Sequence, residues 1–112
     1  MLNSVIAATI IHCLRTPGET RGSTKAGWVY FAQREDGGPI KIGFSRTPTS
    51  RAANLGWEHE AKIVLLRAVP GTMRDEKRTH ALFAPLRQHG EWFQRDVALL
   101  DFITALPVFN WP

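Results

Sequence analysis

The chain alternates short apolar runs with polar, turn-rich breaks. Trp28 to Gln33, "WVYFAQ", is aromatic and β-branched, and Ile40 to Phe44, "IKIGF", alternates apolar with polar positions. Such residues fit a pleated, half-buried surface, so two strands are predicted. Between them "REDGGP" brings Asp36, Gly37 and Gly38, which tolerate the positive φ of a hairpin turn. "SRTPTSRAANLG" predicts a turn and then a short helix, with Thr47 as N-cap, Pro48 in the first turn and Gly56 closing it. Lys62 to Val69, "KIVLLRAV", is nearly continuous in apolar residues up to Pro70-Gly71, the pattern of a central strand covered on both faces. Thr72 with Asp75 three residues on forms an Asp version of the capping box, opening a helix that runs to about Ala84 before Pro85 interferes. Val97, Leu100, Ile103 and Leu106 recur at helical spacing until Pro107.

The order β-β-α-β-α-α contains no internal repeat. At 112 residues and 44% hydrophobic, the chain fits one core and one domain. Residues 15 to 27, "RTPGETRGSTKAG", gather Pro, Gly, Ser, Thr and charge without periodicity and read as a linker. The folded unit is therefore expected over 27–106, with residues 107–112 as a tail. Residues 1–26 are expected to be an extension, partly disordered or loosely attached. A frayed helix, an extra strand and translated sequence upstream of the true start all remain open for it.

Charge and cysteine content narrow the partners only slightly. A net charge of +4 and a pI near 9.8 suit polyanions without selecting one. A lone Cys13 excludes an internal disulfide and a cysteine-rich zinc site, and the cytoplasm is the simplest compartment for it. The apolar run "VIAATII", residues 5 to 11, is too short to span a bilayer, so no membrane role is expected.

Several polar residues sit where packing would favour apolar ones. Met73, Glu76, His80 and Phe83 share one stripe of the Thr72 helix, which puts a carboxylate and an imidazole on a face that Met73 and Phe83 mark as inward. Two readings are open. Either they serve a site, or Glu76 pairs with Lys77, Arg78 or a strand residue while His80 is a hydrogen-bonded histidine at the core edge. Tyr30 reads as strand packing, Lys41 as a solvent-facing alternation, and Arg51 as a solvated helix residue. Gly43 marks a bulge or a close approach of backbone to a ligand. In "HGEWF", residues 89 to 93, Trp92 and Phe93 cap the core beside an exposed Glu91, or Glu91 has a role of its own. There is no Gly-rich phosphate loop and no Ser-His-Asp order, and His12, His59 and His89 lack metal-ligand spacing.

Together these residues resemble the GIY-YIG nuclease superfamily. "WVY" ending in Tyr30 stands for G-I-Y, "KIG" from Lys41 to Gly43 stands for Y-I-G, Arg51 matches the arginine of the first helix, and Glu76 matches the later metal-binding glutamate. The chain looks most like a branch of small phage and bacterial proteins labelled as a meiotically up-regulated gene family. In that branch the second motif reads K-I-G, and the glutamate is followed four residues later by His and then by G-E-W-F, here Glu76, His80 and Gly90 to Phe93. Lys41 replaces the superfamily's second tyrosine, and its late asparagine has no clear counterpart.

The resemblance implies an α+β fold with a three-stranded antiparallel sheet flanked by helices. It also implies metal-dependent hydrolysis of DNA phosphodiesters using Mg²⁺ or Mn²⁺. Glu76 would hold the metal. Tyr30, with Lys41 or His80, would orient or deprotonate the attacking water, and Arg51 would face the phosphoryl charge. Gly43, Arg46 and Glu91 are expected to bind substrate. DNA is the expected partner, with a separate specificity or recruiting protein as a second. Two alternatives stay open at this stage: a nucleic-acid-binding module that has kept the fold without the chemistry, and a protein-interaction domain.

Overall fold

The computed structural model describes residues 26–112. The expected extension over 1–26 therefore lies outside the described residues, apart from Ala26. The architecture is α+β, with a five-stranded antiparallel sheet in the order β3-β1-β2-β5-β4. Two of these strands extend the three expected.

β1 (Gly27–Arg34) and β2 (Ile40–Ser45) form the hairpin read from the sequence, in a regular register that sets Tyr30 opposite Gly43 and Ala32 opposite Lys41. Gly37 and Gly38 both take positive φ, 100° and 98°, in the connecting turn, a conformation that costs glycine nothing sterically. β1 is the central strand. It pairs with β2 on one side and with β3 (Ile63–Gly71) on the other. β3 is thus an edge strand and not the expected central one. Pro70, which cannot donate to a ladder, is tolerated within it for that reason. The one register irregularity of the β1–β3 pairing falls between Phe31 and Ala32, so Gly43 marks no bulge.

α1 (Pro48–His59) begins as expected, with Thr47 at the N-cap position and Pro48 in its first turn, although the Thr47 side chain makes no capping bond. It does not end at Gly56. The helix continues to His59 and closes on Glu60 in the left-handed conformation, while the Ala61 N–H returns to the Gly56 carbonyl at 3.0 Å. A side chain at position 56 would meet the Ala61 oxygen at 2.8 Å, so glycine here admits the returning chain.

α2 (Met73–Leu82) is opened by the predicted box. The Thr72 N–H donates to Asp75 Oδ2 at 2.8 Å, and the Asp75 N–H donates to Thr72 Oγ1 at 3.4 Å. It stops at Leu82, and Pro85 lies in a short 3₁₀ turn, Ala84–Leu86. Next comes a stretch for which the sequence pattern predicts no element. Instead β4 (Arg87–His89) and β5 (Trp92–Phe93) form a hairpin whose second strand pairs with Ile40 and Lys41 of β2. α3 (Val97–Ala105) is capped by Asp96, which accepts from the Ala98 N–H at 2.9 Å. It buries Leu99, Phe102 and Ile103, with Leu106 closing the stripe, and leaves Val97 exposed.

The sheet separates two apolar cores. Val29, Phe31, Ile42, Phe93 and Phe83 pack with α3 on one face. On the other, Tyr30, Ala32 and Ala68 pack with Leu55 of α1. The tail joins this arrangement. Phe109 stands edge-on to Trp28 with centroids 6.5 Å apart, Trp111 packs beside the second core, and the Pro112 carbonyl accepts from the Thr49 N–H at 3.3 Å. No helix among the described residues is long and apolar enough to cross a membrane.

Candidate active site

The polar cluster lies on the α1 face of the sheet because strand alternation dictates it. Tyr30 and Ala32 point to that face, and the antiparallel register puts Gly43 and Lys41 opposite them on the same side. The Tyr30 ring is fully buried. A side chain at position 43 would overlap that ring, so the missing side chain of Gly43 is filled by Tyr30. Arg51, from the second turn of α1, lies within hydrogen-bonding reach of the phenol. Its guanidinium also pairs with Glu58 at 3.4 Å on the exposed side of the helix.

Lys41 does not face solvent; it is 7% exposed. A buried ammonium requires a compensating charge. Glu91 provides it from the turn entering β5, with Nζ 3.0 Å from Oε1. Trp92 lies next to Lys41 in the ladder and turns its ring to the same ammonium, 5.4 Å from Nζ to the centroid. His59 packs edge-on against that indole at 5.2 Å.

α2 delivers Glu76 and His80 to this place. Glu76 is 3% exposed and hydrogen-bonds Glu91 side chain to side chain. Two close carboxyls cannot both be ionised cheaply, so one retains the proton. Burial, then the charge of Glu91, pushes Glu76 up to about 7. Burial also raises Glu91, but the hydrogen bond and charge of Lys41, together with the Glu76 hydrogen bond, outweigh it and hold Glu91 below the ordinary carboxylate value. The proton stays on Glu76 because Lys41 has claimed the charge of Glu91. Tyr30 is pushed up to about 12, chiefly by burial, with Arg51 opposing the shift and Glu91 and Glu76 adding to it.

His80 completes the edge of β2. The Ile42 N–H donates to the Glu91 carbonyl at 3.0 Å, and the Ile42 carbonyl accepts from His80 Nε2 at 2.8 Å, where the short hairpin leaves the strand unpaired. That bond fixes the tautomer with the proton on Nε2. Nδ1 is then a buried acceptor without a partner. Burial, the largest influence, lowers the pKa of His80, so the ring is neutral at pH 7.

Of the expected site residues, the fold thus brings Tyr30, Lys41, Gly43, Arg51, Glu76, His80 and Glu91 to one place. Arg46 stands exposed in the turn before α1 and takes no part in these contacts. Met73 is largely exposed, so the inward stripe of α2 runs through Asp75, Glu76, Thr79 and His80. Trp92 was not singled out as a neighbour of Lys41; only the register of a two-residue strand reveals it. A separate groove of about 820 Å³ lies between α1 and β3, lined by Ala52, Gly56, Trp57, Ile63, Leu65 and Trp111 among others, and none of the cluster residues borders it.

The family model of the T5orf172 domain matches residues 27–106. The chain belongs to the T5orf172 domain family. The matched span runs from the first residue of β1 to Leu106 at the end of α3, so every residue of the cluster lies inside the T5orf172 domain and the packed tail lies outside it. No curated protein and no solved structure matches the chain.

Proposed function

We propose that this T5orf172 domain is a metal-dependent DNA endonuclease of the GIY-YIG type. The observation that carries the reading is the convergence of the buried Tyr30, Lys41 and Glu76 with Arg51, from two strands and two helices, at a place where the Arg51 and Glu91 side chains remain partly exposed. Residues that looked dispensable singly form one site.

The donor set fits a hard divalent cation held by few protein ligands. Among the described residues no group of three His, Cys, Asp or Glu could hold a metal. Glu76 offers one carboxylate once the proton it holds near neutral pH has left, while the charge of Glu91 is engaged by Lys41. Mg²⁺ or Mn²⁺ held by Glu76, with phosphate and water oxygens completing the shell, suits that arrangement. Bound there, the ion supplies Lewis-acid polarisation of the phosphate and charge stabilisation at the leaving oxygen.

The chain's own groups do the rest. Tyr30, with a pKa of about 12, is a neutral phenol at pH 7 and so orients the attacking water through its oxygen, with Arg51 donating beside it. Arg51 and Lys41 present donors to the phosphoryl oxygens as negative charge grows on them. His80 holds α2 to β2 and presents Nδ1 as an acceptor toward the interior. Arg46, exposed at the start of α1, contacts the DNA backbone, and Gly43 serves substrate by admitting the Tyr30 ring.

The test is incubation of purified protein with supercoiled, nicked and branched DNA in Mg²⁺ or Mn²⁺, with Glu76→Ala alongside. Metal-dependent cleavage lost in the variant supports the reading. The replacement of tyrosine by an ion-paired Lys41 favours a second reading, a binding module without chemistry, and salt-sensitive DNA binding with no cleavage at any metal concentration would establish it.

A further inference from the structure

We infer that Glu91 is a positioning residue for Lys41, held in place by the β4–β5 hairpin that carries it. The inference rests on the nuclease reading for its catalytic consequence, while the contact itself stands apart from it. Expectation from the sequence made Glu91 a substrate-binding residue. Its carboxylate, 35% exposed, is engaged by Lys41.

Three features converge on the Lys41 ammonium. The Glu91 carboxylate lies 3.0 Å away, the Trp92 ring stacks over it, and Glu76 hydrogen-bonds the same Glu91 carboxylate. The backbone that carries Glu91 is itself pinned. Gly90 adopts φ +54°, Arg87 Nε donates to the Gly90 carbonyl at 2.6 Å, and the Glu91 carbonyl accepts from Ile42, the residue after Lys41. A flexible four-carbon amine keeps one position only when something fixes its end. Here the carboxylate fixes one direction and the indole face another, so the ammonium is held at one place beside Glu76.

Glu91 is therefore expected to act through Lys41 without touching DNA. Removing it strips the buried ammonium of its ion-pair partner and leaves Glu76 as the nearby carboxyl, whereas removing both charges takes the pair out whole. This gives the inference a signature that loss of packing would not produce.

The experiment compares wild type with Glu91→Gln, Glu91→Asp, Lys41→Met and the Lys41→Met/Glu91→Gln double variant. Two readouts are taken: kinetics of DNA nicking with Mg²⁺, and the ¹⁵N–¹H signal of the Lys41 ammonium, which is visible only when solvent exchange is slowed. Glu91→Gln should lose about 10²-fold in kcat with KM within about threefold, Glu91→Asp should recover much of it, and the double variant should cleave within about twofold of Lys41→Met. The ammonium signal should be present in wild type, lost in Glu91→Gln and retained in Glu91→Asp. Wild-type cleavage with Glu91→Gln equally active would overturn the inference and leave the nuclease reading standing. If wild type does not cleave, that reading falls, and the ammonium signal alone decides whether Glu91 holds Lys41; its absence in wild type overturns the inference. Should Glu91→Gln fail to fold, the aspartate and double variants carry the same comparisons.

Discussion

Tyr30 and Glu76 both carry protons that free side chains would hold less tightly, and the same burial is responsible. A phenol at about 12 has no anionic population to speak of at pH 7, so its contribution is hydrogen bonding. Tyr30→Phe keeps the packed ring and removes only the hydroxyl. Cleavage is expected to fall by about 10²-fold or more, with the thermal midpoint little changed. Glu76 titrates at about 7 in the fold against 4.5 for the free side chain. Between these values the native state binds the extra proton, so metal-free stability falls as pH rises from about 4.5 to about 7. Glu76→Gln should melt close to wild type at pH 5 and above it at pH 8, both measured in chelator. Gly43→Ala tests the other side of the Tyr30 environment. The added methyl overlaps an aromatic ring that cannot move aside, and a loss of about 1–3 kcal/mol is expected in denaturant unfolding.

At the level of elements, α2 matters most because it carries Glu76 and His80 on its buried side. Its first turn depends on the reciprocal Thr72–Asp75 bonds, so Thr72→Ala should cost about 1 kcal/mol in thermal or denaturant melts and loosen the turn that holds Glu76. That box was legible in the sequence because both partners lie in one turn, and the β1–β2 hairpin was legible from its Asp-Gly-Gly turn. β3 was misjudged for a physical reason. A continuous apolar run reports that the faces of a strand are covered and says nothing about its lateral neighbours. β4 and β5, three and two residues long, are too short for alternation to register, so the extent of the sheet was hidden. Tyr30, Lys41 and Arg51 were candidates by resemblance, and Glu76 also by its place on an otherwise inward helix stripe. The Lys41–Glu91 pair was not among them, since it depends on the register of that hidden hairpin.

On the scale of the whole molecule, two covered faces leave the polar cluster at the junction of α1, α2 and the small hairpin, so the site needs all of them folded at once. The tail extends this cooperativity beyond the T5orf172 match through Phe109 and Trp111. A basic excess of +4 is modest for a DNA-binding surface, so the proposed affinity for duplex DNA should fall with salt on the shallow slope of few phosphate contacts, measured by binding titrations at several salt concentrations. The most direct measurement is nicking of supercoiled DNA by purified wild type and Glu76→Ala in Mg²⁺ or Mn²⁺. The account predicts metal-dependent nicking by wild type and a loss of about 10²-fold or more in the variant; nicking unchanged by Glu76→Ala, or binding without cleavage at every metal concentration, would contradict it.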